Sequence, residues 1–408
     1  MIDASLLLSS AAVRSAAERM LADGLAQRLD HWSVNLDRLP EVARFVARVT
    51  RAAYPTLAVP FHSRWRHFEA GGIARWQEAA ARRPWADKAQ KARAAFDLAI
   101  VSVLLDAGSG GRWRFTERET GQSFASSEGL GVASFRLVAG GALSKDARDP
   151  WRVDAERLVR LTADDLVAAF QVSDGNPLAG VEGRIALLRS LGEACLADAS
   201  VFASADDPRP GGLADHLAAR SAGGKIEAHS ILRALLDHLG PIWPSRLAIG
   251  ERPLGDTWLY ERWRRAGDPL CAYVPLHKLS QWLTYSLIEP LVARGIDVAA
   301  LDGLTGLAEY RNGGLLVDMN VLSLRDHAQI VRTHEVSSPL IVEWRALTVA
   351  LLDRLLPLLR RELEVTAEQF PIAAMLEGGS WAAGRRVARE KRADGSPPLK
   401  ILSDGTTF

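Results

Sequence analysis

The 408-residue sequence predicts a mainly α fold with one or two short β-hairpins. Three observations carry that reading. Apolar residues recur at spacings of three and four along most of the chain, the period of an amphipathic helix. The segments with this period are rich in Ala, Leu and Arg, all good helix formers. Alternating apolar and polar runs, the mark of half-buried strands, are few and short.

Taken in order, helices are expected over residues 5–25, 42–53, 74–82, 87–106, 128–140, 163–171, 180–197, 226–239, 273–294, 340–356 and 369–392. The helix at 163–171 has a clear start, because Thr162 can cap it and Asp164 and Asp165 suit the positive end of its dipole. Pro357 is expected to end the helix at 340–356, since proline has no N–H and its ring clashes with the preceding turn. Strands are expected at 112–115 and 122–124, as a hairpin around 117–121. A second hairpin is expected from 315–317 and 321–324, with a terminal strand at 400–402. Breaks at 205–213 and 241–256 are too short and too mixed in composition for flexible linkers. The expected organisation is one compact unit over 1–408. Any division into an N-terminal lobe (1–150) and a C-terminal catalytic lobe (151–408) falls near Pro150.

Composition narrows the functional classes. The chain is 48% hydrophobic and 24% charged, ordinary for a soluble globular protein. A net charge of +1 supplies no global field for nucleic acid or anionic membrane. The most apolar stretch, 94–107, is interrupted by Asp97 and Ser102 and falls short of the ~18 residues of a membrane span. The N-terminal run places Asp3, and no basic residue, before its apolar stretch, unlike a secretory signal. A cytoplasmic protein without nucleic-acid or membrane partners is expected. Cys195 and Cys271 lie in no CxxC spacing and read as two buried thiols. Neither a GxxxxGK[ST] loop nor a strand–GxGxxG–helix pattern occurs, and the histidines form no HxH or HExxH. Neither a metal nor a cofactor is expected.

The chemistry that remains centres on Glu309-Tyr310-Arg311, within LDGLTGLAEYRNGGLLVD (301–318). In an extended or turn segment, residues i and i+2 point the same way, so Glu309 and Arg311 would face one cavity. A carboxylate fixed there by a cation can stabilise a developing positive charge or attack a carbon. In the expected helix at 273–294, Lys278, Gln281, Trp282 and Tyr285 share one face. A lysine among rings and an amide suits a phosphorylated or sugar-like ligand. Equally, Lys278 can reach water from an amphipathic boundary.

Arg345 shares a helical face with Ile341, Thr348 and Leu352, so it needs a partner if buried, either a structural carboxylate or Glu309 itself. Glu182 and Arg184 open a helix behind a proline-containing loop, where they either frame a pocket or, for Glu182, simply suit the helix dipole. The segment FHSRWRHF (61–68) is either a lid over an anionic or sugar ligand or a packed aromatic elbow with exposed arginines.

Several long runs carry a resemblance: FHSRWRHF, SVLLDAGSGGRWRF, SSEGLGVASF, QVSDGNPLAGVEGR, VPLHKLSQWLTYSL, LTGLAEYRNGGLLVD, VEWRALTVALLD, EGGSWAAGR and SDGTTF. From Leu39 to Phe408 the chain resembles the uracil-catabolism protein family of the ring-opening pyrimidine degradation pathway. That resemblance implies a role in turning uracil, by way of its nucleotide, into urea and a three-carbon acid. More distantly, the motif order is similar to the queuosine-5′-phosphate N-glycosylase family, which implies a helical DNA-glycosylase-like architecture. Leu304-Thr305 and Glu309-Tyr310-Arg311 match its acidic-Tyr-Arg signature, with Glu in place of Asp. Lys278, Pro177-Leu178 with Glu182 and Arg184, and Glu343-Trp344-Arg345 match further segments. Asn312-Gly313 stands where that family has Pro-Gln, so the base pocket should differ.

Together these readings give the expectation of a metal-independent N-ribohydrolase acting on a small phosphorylated ribosyl substrate such as ribosylurea 5′-phosphate. Glu309 would be the catalytic carboxylate, held by Arg311 and Arg345. Lys278 and His277 would grip the phosphate and Trp282 would stack, with Glu182 or Asp106 as the acid for the leaving group. An amidohydrolase acting on the ureido group, and a non-catalytic subunit partnering other enzymes of the pathway, are the alternatives.

Overall fold

A computed structural model describes residues 2–203, 207–243 and 247–402. The SDGTTF run at 403–408 and parts of both expected breaks, 204–206 and 244–246, lie outside the described residues. The fold is mainly α, with short strands in two-stranded pairs. Two compact units divide the chain, each assembled from separated segments. Among the described residues, the first comprises 2–62, 247–281 and 300–402, and the second 63–203, 207–243 and 282–299. Residue 150 therefore falls inside the second unit.

The first unit is built around the 25-residue helix Pro339–Leu363. Pro339 opens it where a missing N–H costs nothing. Every residue from Leu340 to Leu352 is buried, and the helices Ser10–Leu25 and Leu39–Ala53 pack against it. Pro357 does not end this helix, as the sequence had suggested. An interior proline costs ~3 kcal/mol. Beyond or beside it, Leu355, Leu356, Leu359 and Leu363 are all buried, each contributing roughly 1.5–3 kcal/mol. Burial wins, and the helix stops at Glu364 in the left-handed region (φ 60, ψ 44).

A second departure concerns 315–317, expected as a strand. These residues lie in the helix Tyr310–Asp318, where a side-chain cap and the burial of Leu315 and Leu316 override local β propensity. The partner expected for them, Leu322–Leu324, pairs antiparallel with Trp32–Val34 instead. The terminal strand Lys400–Leu402 pairs in parallel with Thr333–Glu335. The helix expected over 273–294 begins later. Tyr273–Pro275 pairs antiparallel with Thr257–Leu259, consistent with the extended backbone that Pro275 imposes on the residue before it. His277 then turns through the left-handed region (φ 47), and the helix runs over Lys278–Arg294.

The second unit has its core on the helix Lys88–Leu104, which is buried continuously from Ala94 to Leu104. Asp87 caps it by accepting the Gln90 N–H. The helices Ser126–Ala139, Val181–Ala197 and Leu213–Arg220 pack on it. Arg114–Thr116 and Ser123–Ala125 form the expected hairpin. Within residues 63–68 the arginines are not exposed: Arg64 is fully buried and Arg66 half-buried, so the packed elbow carries interior charge. Cys195 is buried and Cys271 only half-buried. No helix among the described residues is long and apolar enough to cross a membrane.

Candidate active site

In the first unit, Glu309 is the residue that caps the helix Tyr310–Asp318. Its backbone is extended (φ −123, ψ 161), and its carboxylate accepts the N–H groups of Arg311 (2.7 Å) and Asn312 (2.5 Å). Only 8% of it is exposed. Burial pushes its carboxyl above the ordinary carboxylate value. The two N–H groups, the Lys278 ammonium and His62 act against that shift without cancelling it. Glu309 is thus a buried acid on a helix N-terminus, with the Lys278 ammonium and the His62 ring close enough to favour its charged form.

Arg311 does not brace this carboxylate with its guanidinium, as the i, i+2 argument had it. Residue 309 is extended but residue 311 is already helical, so the two side chains diverge. The guanidinium donates to the Gly395 carbonyl at 2.8 Å and lies 5.0 Å from the Tyr310 ring. What Arg311 gives Glu309 is its backbone N–H. The backbone here is clamped from behind by Gly384, where an added Cβ would lie 2.2 Å from the Arg311 carbonyl oxygen.

Asp256, which carried no signal in the sequence, organises the elements around Glu309. Arg345 grips it with two parallel hydrogen bonds of 2.8 Å, and the Trp258 indole N–H donates to it at 2.7 Å. Burial alone would raise the Asp256 carboxyl, but Arg345 outweighs it and holds the group at about 2. The second Asp256 oxygen accepts the Lys278 N–H at 2.9 Å, fixing the start of the lysine helix. Arg345 also donates to the Ala308 carbonyl (3.3 Å), one residue before Glu309. Arg345 is therefore paired with a structural carboxylate and bears on the Glu309 segment through the Ala308 carbonyl.

Gln281 joins the same two elements through reciprocal bonds to Thr305, accepting its N–H at 2.9 Å and donating to its hydroxyl at 2.7 Å. His277 does not accompany Lys278. It is fully buried, its Nε2 meets the Leu7 carbonyl oxygen at 2.9 Å, and burial lowers its basicity. A neutral, enclosed imidazole cannot grip a phosphate.

His62 is the functional candidate that periodicity could not find. Its Nδ1 lies 2.7 Å from the Glu377 carboxylate, and both side chains are largely buried. Glu377 sits on a π-helical stretch, Met375–Trp381, an uncommon geometry that concentrates at functional sites. Gly378 allows this turn to press on the chain leading to His62, since a Cβ there would meet Val59 at 2.7 Å. The His62 backbone N–H donates to the Ala373 carbonyl at 2.9 Å, tying this segment to the start of the turn. A carboxylate on Nδ1 fixes the tautomer and aims Nε2. The sequence hints were the FHSRWRHF segment that contains His62 and the glycine pair at 378–379 inside an otherwise helical pattern, and neither linked the two residues.

In the second unit, Asp106 forms an ion pair with Arg64 at 3.0 Å, and the Ser127 hydroxyl donates to it at 3.3 Å. Arg64 also donates to the Ser102 hydroxyl at 2.6 Å and lies 5.6 Å from the Trp282 ring. Burial lowers the Arg64 guanidinium from its ordinary value, with Asp106 opposing. Arg184 donates to the carbonyls of Leu105 (3.0 Å) and Ala107 (2.7 Å), and burial brings it down to about 10. Asp106 and Trp282 thus share Arg64. Glu182 stands apart as an exposed first-turn acid, so the helix dipole accounts for it. Among the described residues, no group of three or more His, Cys, Asp or Glu side chains is placed to hold a metal ion.

Residues 6–408 match the family described as "Protein of unknown function (DUF1688)", and the chain belongs to that family. Two relatives have curated names. The chain is 37% identical over 410 residues to "Uracil catabolism protein 4" of Lachancea kluyveri, covering 93% of this chain and 92% of the relative. It is 38% identical over 413 residues to "Protein urg3" of Schizosaccharomyces pombe, covering 98% of each.

Proposed function

We propose that this protein acts in uracil catabolism as an N-ribohydrolase, cleaving the N-glycosidic bond of a ring-opened uracil nucleotide. Ribosylurea 5′-phosphate is the simplest such substrate, with urea and ribose 5-phosphate as products. The near full-length likeness to a protein named for uracil catabolism supports the pathway. The observation that carries the reaction is Glu309: a buried carboxylate, pinned by two N–H groups, with Lys278 and His62 acting on its charge.

Breaking an N-glycosidic bond builds positive charge on the anomeric carbon and ring oxygen. A carboxylate already fixed in a site of low dielectric stabilises that charge without reorganising. Each Glu309 oxygen spends one acceptor site on a backbone N–H, which leaves acceptor capacity on both. That favours a fixed counter-charge over a nucleophile that must move and bond. Lys278 favours the ionised form of Glu309 and offers a cation to the anionic or hydroxyl groups of the substrate. Urea is a poor leaving group and needs a proton. In its protonated form His62, oriented by Glu377 through Nδ1, can give one from Nε2 and is better placed than Glu182, which is exposed, or Asp106, which faces Arg64.

Purified protein should release ribose 5-phosphate and urea from ribosylurea 5′-phosphate in equal amounts. Ammonia without ribose phosphate would favour the amidohydrolase reading. No turnover of any pathway intermediate, together with co-purification of a pathway enzyme, would favour a non-catalytic subunit.

A further inference from the structure

The second unit holds a cavity of about 180 Å³, none of whose lining residues has a role above. Trp65 and Trp76 form part of its wall, with ring centroids 5.5 Å apart. The Trp65 indole is fixed by its N–H to the Ser286 carbonyl at 2.7 Å. Lys88 and Lys91, one turn apart on the helix Lys88–Leu104, line it as well.

The charges on this wall are unequally matched. Glu289 accepts from the Ser63 hydroxyl (2.8 Å) and Arg66 (2.7 Å). Arg294 faces Asp215 at 2.6 Å, and Asp215 also holds Arg93 at 3.0 Å. No carboxylate among the described residues pairs with Lys88 or Lys91. The two lysines also occupy the first turn of their helix, the positive end of its dipole, where a cation is disfavoured. As like charges at i, i+3 they repel each other. Folding gains nothing from this arrangement, whereas an anion in the cavity would gain from both ammoniums.

We infer that this cavity binds a small anion carrying a planar ring. The ring lies on the tryptophan wall, and its phosphate or carboxylate is held by Lys88 and Lys91. Indole faces supply stacking, and lysines supply point charges that do not dictate the geometry of the anion. This site stands independently of the proposed hydrolase chemistry.

Isothermal titration calorimetry with uridine 5′-monophosphate tests it, with uracil and ribose 5-phosphate as ring-only and phosphate-only controls. The nucleotide should bind more tightly than either fragment. The double change Lys88→Glu/Lys91→Glu should weaken it about tenfold or more, about 1.4 kcal/mol. That variant should melt no lower than wild type, because acids suit a helix start. Trp76→Ala should reduce the affinity to that of ribose 5-phosphate, and both losses should recur in a Lys278→Ala background, where the site proposed above is weakened. Equal binding of nucleotide and ribose 5-phosphate would overturn the inference. So would binding that the charge reversal leaves untouched in the Lys278→Ala background.

Discussion

Asp256 and Glu309 are both buried carboxylates in the first unit, a short chain of contacts apart, and they are handled in opposite ways. Asp256 is neutralised on contact by the two-pronged grip of Arg345, which holds it at about 2. Glu309 has backbone N–H groups, with the Lys278 ammonium and the His62 ring nearby, and burial still raises its carboxyl. The first arrangement consumes a charge to hold elements together. The second keeps a charge available and pays in stability for doing so.

The pH dependence of stability separates them by sign. Asp256 titrates lower in the folded chain than its ordinary 3.8, so its contribution is present above that value and lost as pH falls towards about 2. Glu309 titrates above its ordinary 4.5, so its contribution is present at lower pH and lost as pH rises through the folded value.

The largest expected effect comes from breaking the structural pair. Asp256→Ala leaves Arg345 buried without its counter-charge and should cost roughly 3–5 kcal/mol of stability, read by urea unfolding. An unchanged unfolding midpoint would mean that the pair does not anchor the fold. Next is Glu309→Gln, which should lower kcat by ~10²-fold or more while the melting temperature holds or rises. Steady-state release of ribose 5-phosphate, beside a thermal melt, reads both. A comparable fall in stability would make Glu309 a second Asp256.

Glu377→Gln should lower kcat about tenfold with KM and melting temperature little changed, because it loosens the aim of His62 rather than the fold. A change confined to KM would contradict that role. The smallest effect is on the acid limb of the pH–rate profile. Activity requires ionised Glu309, so it should fall as pH drops through a value above 4.5. Lys278→Met removes a cation that favours ionisation and should move that limb to higher pH by less than about one unit. A limb that stays still would place Lys278 out of reach of Glu309.

The sequence revealed this molecule unevenly, for physical reasons. Helix periodicity located most of the helices, because a buried stripe repeats in the chain that makes it. It misjudged Pro357, where four buried leucines on either side outweigh one proline, and 315–317, where a side-chain cap decides the conformation. At the site, Glu309 and Lys278 stood out by residue type and motif. The geometry linking Glu309 to Arg311 did not, because the backbone changes conformation between them. Asp256 and the His62–Glu377 pair were invisible for a different reason. Their partners lie 89 and 315 residues away, and no local period reports such a contact.

The central claim is that Glu309 stabilises a cationic sugar, and turnover of ribosylurea 5′-phosphate by wild type and Glu309→Gln tests it most directly. The account predicts stoichiometric urea and ribose 5-phosphate from wild type, and a loss of ~10²-fold or more in a variant that remains folded. Equal rates in the two proteins would contradict it.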